Sequence, residues 1–128
     1  MSPFRPEQLA IVSLWAEDVP TTVRFYRHVV GLSLLPHHDH LPAFELGPGQ
    51  YLAIVEGLPA LAQEPGRSRF PVLAFAVRDL DEAVQHLQSY DVELVEGIET
   101  GASERWIRFY DPAGNLIEFV QFARPPHS

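Results

Sequence analysis

Cysteine and lysine are both absent from the 128 residues, and each absence closes a branch of chemistry. Without cysteine there is no disulfide framework, no thiolate metal site and no thiol nucleophile. Without lysine there is no Schiff-base catalysis, and all nine basic residues are arginine. No apolar run approaches the roughly 20 residues that span a bilayer. The opening segment Met1–Glu7 lacks the basic-then-apolar layout of a signal peptide. A membrane partner is therefore not expected, and a cytoplasmic location is. Positive charge is scarce as well. The net charge of −8 leaves no basic stripe for a phosphate backbone, which excludes nucleic acid as the expected partner.

What remains is an ordinary globular composition, 46% hydrophobic and 20% charged, long enough for one domain with a real core. Leu9–Ala16 is an apolar run of strand length. Asp18 then offers an N-cap and Pro20 sits in the first turn, where its missing N–H costs nothing. Val23, Tyr26, Val29 and Val30 recur at helical spacing until Gly31 supplies a left-handed stop. Leu32–Leu35, Leu41–Leu46 and Gln50–Val55 read as strands, with a turn at Pro48-Gly49. Residues 57–69 are rich in Pro, Gly and polar side chains and read as a linker.

After the linker the pattern starts again. Phe70–Val77 reads as a strand, and Arg78-Asp79-Leu80-Asp81 as a helix start. Leu80, Ala83, Val84 and Leu87 form the helical stripe. Val92–Val95, Arg105–Tyr110 and Asn115–Phe122 are three further strands, the last two joined by the turn Asp111-Pro112-Ala113-Gly114. The order β-α-β-β-β thus occurs twice, over about 8–56 and 70–123, within a single domain of residues 1–128. Ala16-Glu17-Asp18-Val19 aligns with Val77-Arg78-Asp79-Leu80, and the offset between copies grows from 61 to 65 along the chain. The fold class is α+β.

Asp18-Val19, Phe25-Tyr26 and Gly31-Leu32 look like the first-half signature of the vicinal-oxygen-chelate superfamily of glyoxalases, bleomycin-resistance proteins and extradiol dioxygenases. Asp111-Pro112-Ala113-Gly114-Asn115-Leu116-Ile117-Glu118 is similar to the second-half signature, Asp-Pro-x-Gly-Asn-x-x-Glu. The resemblance implies a glyoxalase-like fold: two βαβββ repeats forming a cup-shaped mixed sheet with helices outside. It also implies a homodimer. Metal-dependent members take ligands from four strand positions, which fall here on Ile11, Ala53, Val72 and Glu118. Only Glu118 can bind a metal, so neither a metal nor another cofactor is expected.

Strand alternation sorts the two faces. If Glu118 points inward, so do Leu116 and Val120, while Ile117 and Phe119 lie under the helices. The same parity puts Ile11, Ser13, Trp15, Tyr51, Ala53, Val55, Val72, Ala74 and Ala76 inward, along with Trp106, Arg108 and Tyr110. The expected ligand-binding set is Trp15, Tyr51, Ala53, Trp106, Arg108, Tyr110 and Glu118, in an apolar interior made roomy by its alanines. An Arg108–Glu118 ion pair is expected to lower the Glu118 pKa. His37, His38 and His40 invite a chelating tract, but strand alternation cannot place all three on one face, and they read as a solvated loop. His28 and His86 fall at solvent edges of the helices, and His127 in a tail. No phosphate loop or nucleophile elbow is present.

The reading is a protein of the bleomycin-resistance type that binds a small organic molecule without the family metal. The alternative is a lyase, isomerase or dioxygenase-type enzyme using Glu118 as its acid/base or metal-binding group. A third, a structural dimer with a vestigial interior, ranks last.

Overall fold

Which face of each strand is buried follows directly from the side-chain alternation. In the computed structural model, which describes residues 4, 6–36, 42–57 and 72–123, the chain forms two compact units, residues 1–58 and 59–128. In the first unit, β1 (Ile11–Ala16) leads to α1 (Val19–Arg24) and a π-helical segment (Phe25–Val30). Then follow β2 (Ser33–Leu34), β3 (Ala43–Gly47) and β4 (Gln50–Glu56). The sheet order is β1-β4-β3-β2, with β1 parallel to β4 and the other pairs antiparallel. In the second unit, β5 (Leu73–Ala76), α2 (Leu80–Ser89), β6 (Leu94–Thr100), β7 (Glu104–Tyr110) and β8 (Leu116–Phe122) give the order β5-β8-β7-β6. Again the first and last strands run parallel. The architecture is the two-repeat, glyoxalase-like one that the β-α-β-β-β pattern predicts.

The repeat holds at the level of individual cross-strand pairs. Leu34 opposite Phe44 matches Leu94 opposite Phe109, and Ala43 opposite Ala53 matches Arg108 opposite Glu118. In each unit one sheet face is covered and apolar. Phe44, Leu52 and Ile54 are buried with Tyr26 in the first unit, and Ile107, Phe109, Ile117 and Phe119 with Leu80 and Leu87 in the second. Each such side chain contributes about 1.5–3 kcal/mol. The aromatic rings meet edge-on, Phe109 and Phe119 with centroids 4.9 Å apart at 60°.

The helix ends are satisfied locally. Asp18 accepts from the Thr21 backbone N (3.2 Å) and hydroxyl (2.7 Å), and Asp79 accepts from the Glu82 backbone N (3.2 Å). The Gln121 side chain takes the Leu80 N–H at 2.7 Å, tying α2 to β8. Arg105 reaches Asp81 at 3.1 Å, tying α2 to β7.

The first helix differs from the expected α-helical stripe. From Phe25 onward it widens to π geometry, and Leu32 N–H closes on Tyr26 C=O at 2.9 Å. The equivalent closure in the second unit, Val92 N–H to Leu87 C=O at 3.2 Å, spans one residue fewer. A single inserted residue absorbed as a π turn accounts for the difference. Gly31 (φ 89°) then supplies the left-handed exit.

Candidate functional site

The face of the second sheet turned away from α2 mixes apolar residues with a few charged and aromatic ones. Across the strands one row runs Ala74 on β5, Glu118 on β8, Arg108 on β7 and Val95 on β6. The next row on the same face is Ala76, Val120, Trp106 and Glu99. Tyr110, opposite Leu116, extends the face at the β7–β8 turn. Strand alternation therefore puts Trp106, Arg108, Tyr110 and Glu118 together, as their spacing predicts. Val72 lies just before β5 rather than within it.

The turn that sets this register explains the Asp-Pro-x-Gly-Asn motif physically. Asp111 is buried, and its Oδ1 accepts from the backbone N of Ala113 (2.9 Å) and of Asn115 (2.8 Å). Its Oδ2 accepts from Asn115 Nδ2 at 2.9 Å. Gly114 takes φ 89°, which a side chain would resist. The motif is thus a clamp that fixes β7 against β8, and through that pairing places Arg108 opposite Glu118.

The Glu118 carboxylate lies 3.9 Å from Arg108 Nε, with the two side chains 17% and 36% exposed. At that separation the contact is an ion pair without a hydrogen bond. Burial pushes the Glu118 carboxyl above its ordinary value; Arg108 opposes the shift and Glu99 adds to it. This corrects the expectation that pairing with Arg108 would lower it: a long, partly screened contact does not offset the lost hydration. Two donors on β7 have no hydrogen-bond acceptor among the described residues, Trp106 Nε1 and Arg108 Nε, both buried at the atom.

Glu99 is the member of this group that the sequence reading missed. It is placed by an irregularity in β6: Val95 faces Arg108 and Glu99 faces Trp106, so three residues on β6 stand opposite one on β7. Glu96 (φ 61°) turns the chain there, and Glu96, Gly97 and Ile98 are exposed. The parity of β6 is thereby restored and Glu99 comes to the Glu118 side. The sequence-based strand Val92–Val95 stops short of Glu99, and regular pairing would set Glu99 opposite Glu104 rather than Trp106.

In the first unit, the face away from α1 carries Ile11, Ser13 and Trp15 on β1 beside Tyr51, Ala53 and Val55 on β4. Ile11 and Trp15 are exposed, as are Ala74 and Ala76 in the second unit, but Ala53 is buried. The free room expected beside the alanines is therefore at Ala74 and Ala76. The Trp15 ring rests on Gly57, so closely that a methyl there would come within 2.8 Å of Cζ3.

Of the four positions equivalent to metal ligands in metal-dependent relatives, Ile11, Ala53 and Val72 have no side-chain lone pair. The donor set does not fit a divalent ion. Among the described residues no group of three or more His, Asp or Glu could hold one. His37, His38, His40 and His127 lie outside the described residues. His28 and His86 are exposed on their helices, and His86 stacks edge-on against Tyr90. Two hollows stand apart from the polar row. One of about 580 Å³ is bordered by Arg27, His28 and Ser33, and one of about 220 Å³ by Ser103, Arg105 and Gln121. Arg27 sits in the last helical turn, where its charge complements the free carbonyls.

Comparison with known proteins bears on this arrangement. The family model of the Glyoxalase/Bleomycin resistance protein/Dioxygenase superfamily matches residues 8–119. The chain belongs to that superfamily. No curated protein matches it. Among solved structures, a superfamily glyoxalase/dioxygenase from Nostoc punctiforme superposes with a TM-score of 0.78 at 21% identity, covering 97% of this chain and 99% of that one. TnmS3, an antibiotic binding protein from Streptomyces sp. CB03234, gives 0.74 at 25% identity, covering 94% and 99%. An integron cassette protein from the mobile metagenome of V. cholerae gives 0.72 at 27% identity, covering 94% and 98%. No helix among the described residues is long and apolar enough to cross a membrane.

Proposed function

We propose that this superfamily member binds a small organic molecule on the polar-and-aromatic face of its second sheet, without the family metal and without turning it over. The observation that carries the reading is the row Ala74–Glu118–Arg108, bordered by Trp106 and Tyr110. Small residues at the sheet edge leave room, aromatic rings supply flat apolar area, and one charged pair orients a polar end. The likeness to an antibiotic binding protein supports it from outside. The missing donors at Ile11, Ala53 and Val72 support its metal independence. Native mass spectrometry with elemental analysis tests both parts. A co-purified organic molecule at unit stoichiometry, with no metal, is the expected result. Stoichiometric zinc, nickel, iron or manganese would refute the metal-free reading, and turnover of the bound molecule would refute the binding-only reading.

One observation favours a second reading. A carboxyl held above its ordinary value is better suited to proton transfer near neutral pH than a free glutamate. In that case Glu118 is an acid/base group of a lyase or isomerase reaction, and Glu118→Gln abolishes turnover while preserving binding. We further infer a cytoplasmic homodimer. The cysteine-free composition suits a reducing compartment, and open sheet edges favour self-association. A single species at monomer mass in sedimentation equilibrium would refute the dimer.

A further inference from the structure

The binding reading leaves the chemistry of the ligand undefined, and the unpartnered atoms on β7 narrow it. Trp106 and Arg108 stand two residues apart on one strand and share one face. Trp106 Nε1 and Arg108 Nε are both N–H donors, both buried at the atom, and neither has an acceptor. A buried donor without an acceptor loses its hydration unrepaid, so two neighbouring ones are a feature that native structures seldom keep without reason.

The surrounding groups limit what can fill them. Glu118 Oε1 lies 3.9 Å from Arg108 Nε, which falls short of a hydrogen bond. A small movement of Glu118 would satisfy Arg108 and still leave Trp106 Nε1 bare. Glu118 and Glu99 together outnumber the single cation Arg108 on this face, so an anionic ligand meets net repulsion. An ammonium ligand suits the carboxylates but adds donors where donors are already in surplus. What Trp106 Nε1 and Arg108 Nε lack is an acceptor, and a neutral one avoids the repulsion.

Resting on the reading of this face as a binding surface, we infer that its ligand is a flat aromatic compound bearing a neutral carbonyl oxygen, a ketone or amide. That oxygen accepts from Trp106 Nε1 and Arg108 Nε, while the aromatic part lies over the Ala74–Ala76 edge. Both N–H groups are buried at the atom, so the carbonyl reaches them as the partly exposed Arg108 side chain shifts.

The test uses two probes of one shape, 2-acetylnaphthalene and 2-isopropenylnaphthalene, which differ in having an oxygen or a methylene at the same position. Affinities are measured by calorimetry on the full chain and on Trp106→Phe and Arg108→Lys. The first variant keeps the ring and removes the N–H; the second keeps the charge beside Glu118 and removes Nε. The expected result is that the ketone-to-alkene affinity ratio falls about tenfold in each variant, with the alkene little changed. Circular dichroism and melting of both variants confirm that the fold is retained. If both probes bind and the ratio is unchanged in either variant, the acceptor inference is overturned while the binding face stands. If neither probe binds the wild-type chain, both are overturned. Tighter binding of 2-naphthylmethylammonium than of the ketone, lost in Glu118→Gln, would also overturn the inference, in favour of a cationic ligand.

Discussion

Replacing Asp111 tests the link between the turn motif and the site. In Asp111→Ala the carboxylate that accepts from Ala113 N, Asn115 N and Asn115 Nδ2 is lost, at a residue only 4% exposed. Hydrogen bonds of this kind are worth about 1 kcal/mol each, more when the acceptor is charged. The two backbone donors sit at a half-buried turn where water can replace part of the loss, which keeps the sum near the lower bound. The expected cost is about 3 kcal/mol, or roughly 10 °C in Tm for a chain of this size. Asp111→Asn retains an oxygen for the two backbone donors but sets its own amide nitrogen against Asn115, for about 1–1.5 kcal/mol. Urea and thermal melts of both variants give these numbers. Because the turn fixes Arg108 opposite Glu118, Asp111→Ala should also weaken ligand binding, whereas Asp111→Asn should largely preserve it. A cost below about 1 kcal/mol for alanine, or equal costs for the two variants, would show that the turn holds its shape without the carboxylate.

Other expectations follow from the same geometry. The Glu118 carboxyl is raised, so its contribution to stability is present below the ordinary glutamate range of about 4–4.5 and is lost as pH rises through the folded-state value. Glu118→Gln should therefore gain Tm relative to wild type as pH increases from about 4 to 7; a difference that is flat with pH would contradict this. The Asp18 carboxyl is lowered by its bonds to Thr21, so the Tm deficit of Asp18→Ala should be full at neutral pH and vanish as pH falls through the folded-state value. Gly57→Ala should displace the Trp15 indole, read as a changed emission maximum against an unchanged Trp106→Phe difference spectrum. Incubation with EDTA should leave melting and ligand binding unaltered, and a fall in Tm would reveal a metal.

The fold was legible because burial repeats what the side-chain pattern states. Ile107, Phe109, Ile117 and Phe119 fall at alternate positions of their strands, and alternation leaves only one register in which all four are covered. Asp18, Pro20 and Gly31 mark one helix by capping chemistry that works in any context. The candidate face was legible for the same reason, since parity alone groups Trp106, Arg108 and Glu118. Three features were not legible. A π turn is one extra residue in a helical stripe, and a stripe tolerates that without losing its apolar spacing. The displaced residues Glu96–Ile98 shift the register by two, so Glu99 could not be placed beside Trp106 until the pairing was known. The direction of the Glu118 shift depends on a separation, 3.9 Å, that no sequence pattern encodes.

The two copies of the repeat show where selection on the site has been free to act. On the helix side, equivalent pairs stay apolar in both copies: Phe44 with Leu52 in one, Phe109 with Ile117 in the other, all fully buried. A polar residue there would leave a buried group unpaired, at a cost of several kcal/mol in each copy. On the opposite face the equivalent pairs have diverged completely, Ala43 with Ala53 in the first unit and Arg108 with Glu118 in the second. Alanine at both first-unit positions removes a donor and an acceptor together, which leaves nothing unsatisfied. The charged pair stands beside the unpartnered Trp106 N–H and two small edge residues. Half-buried and too long to hydrogen-bond, that pair contributes little to folding. On the proposed binding reading, the pair's use is to orient a ligand rather than to hold the sheet.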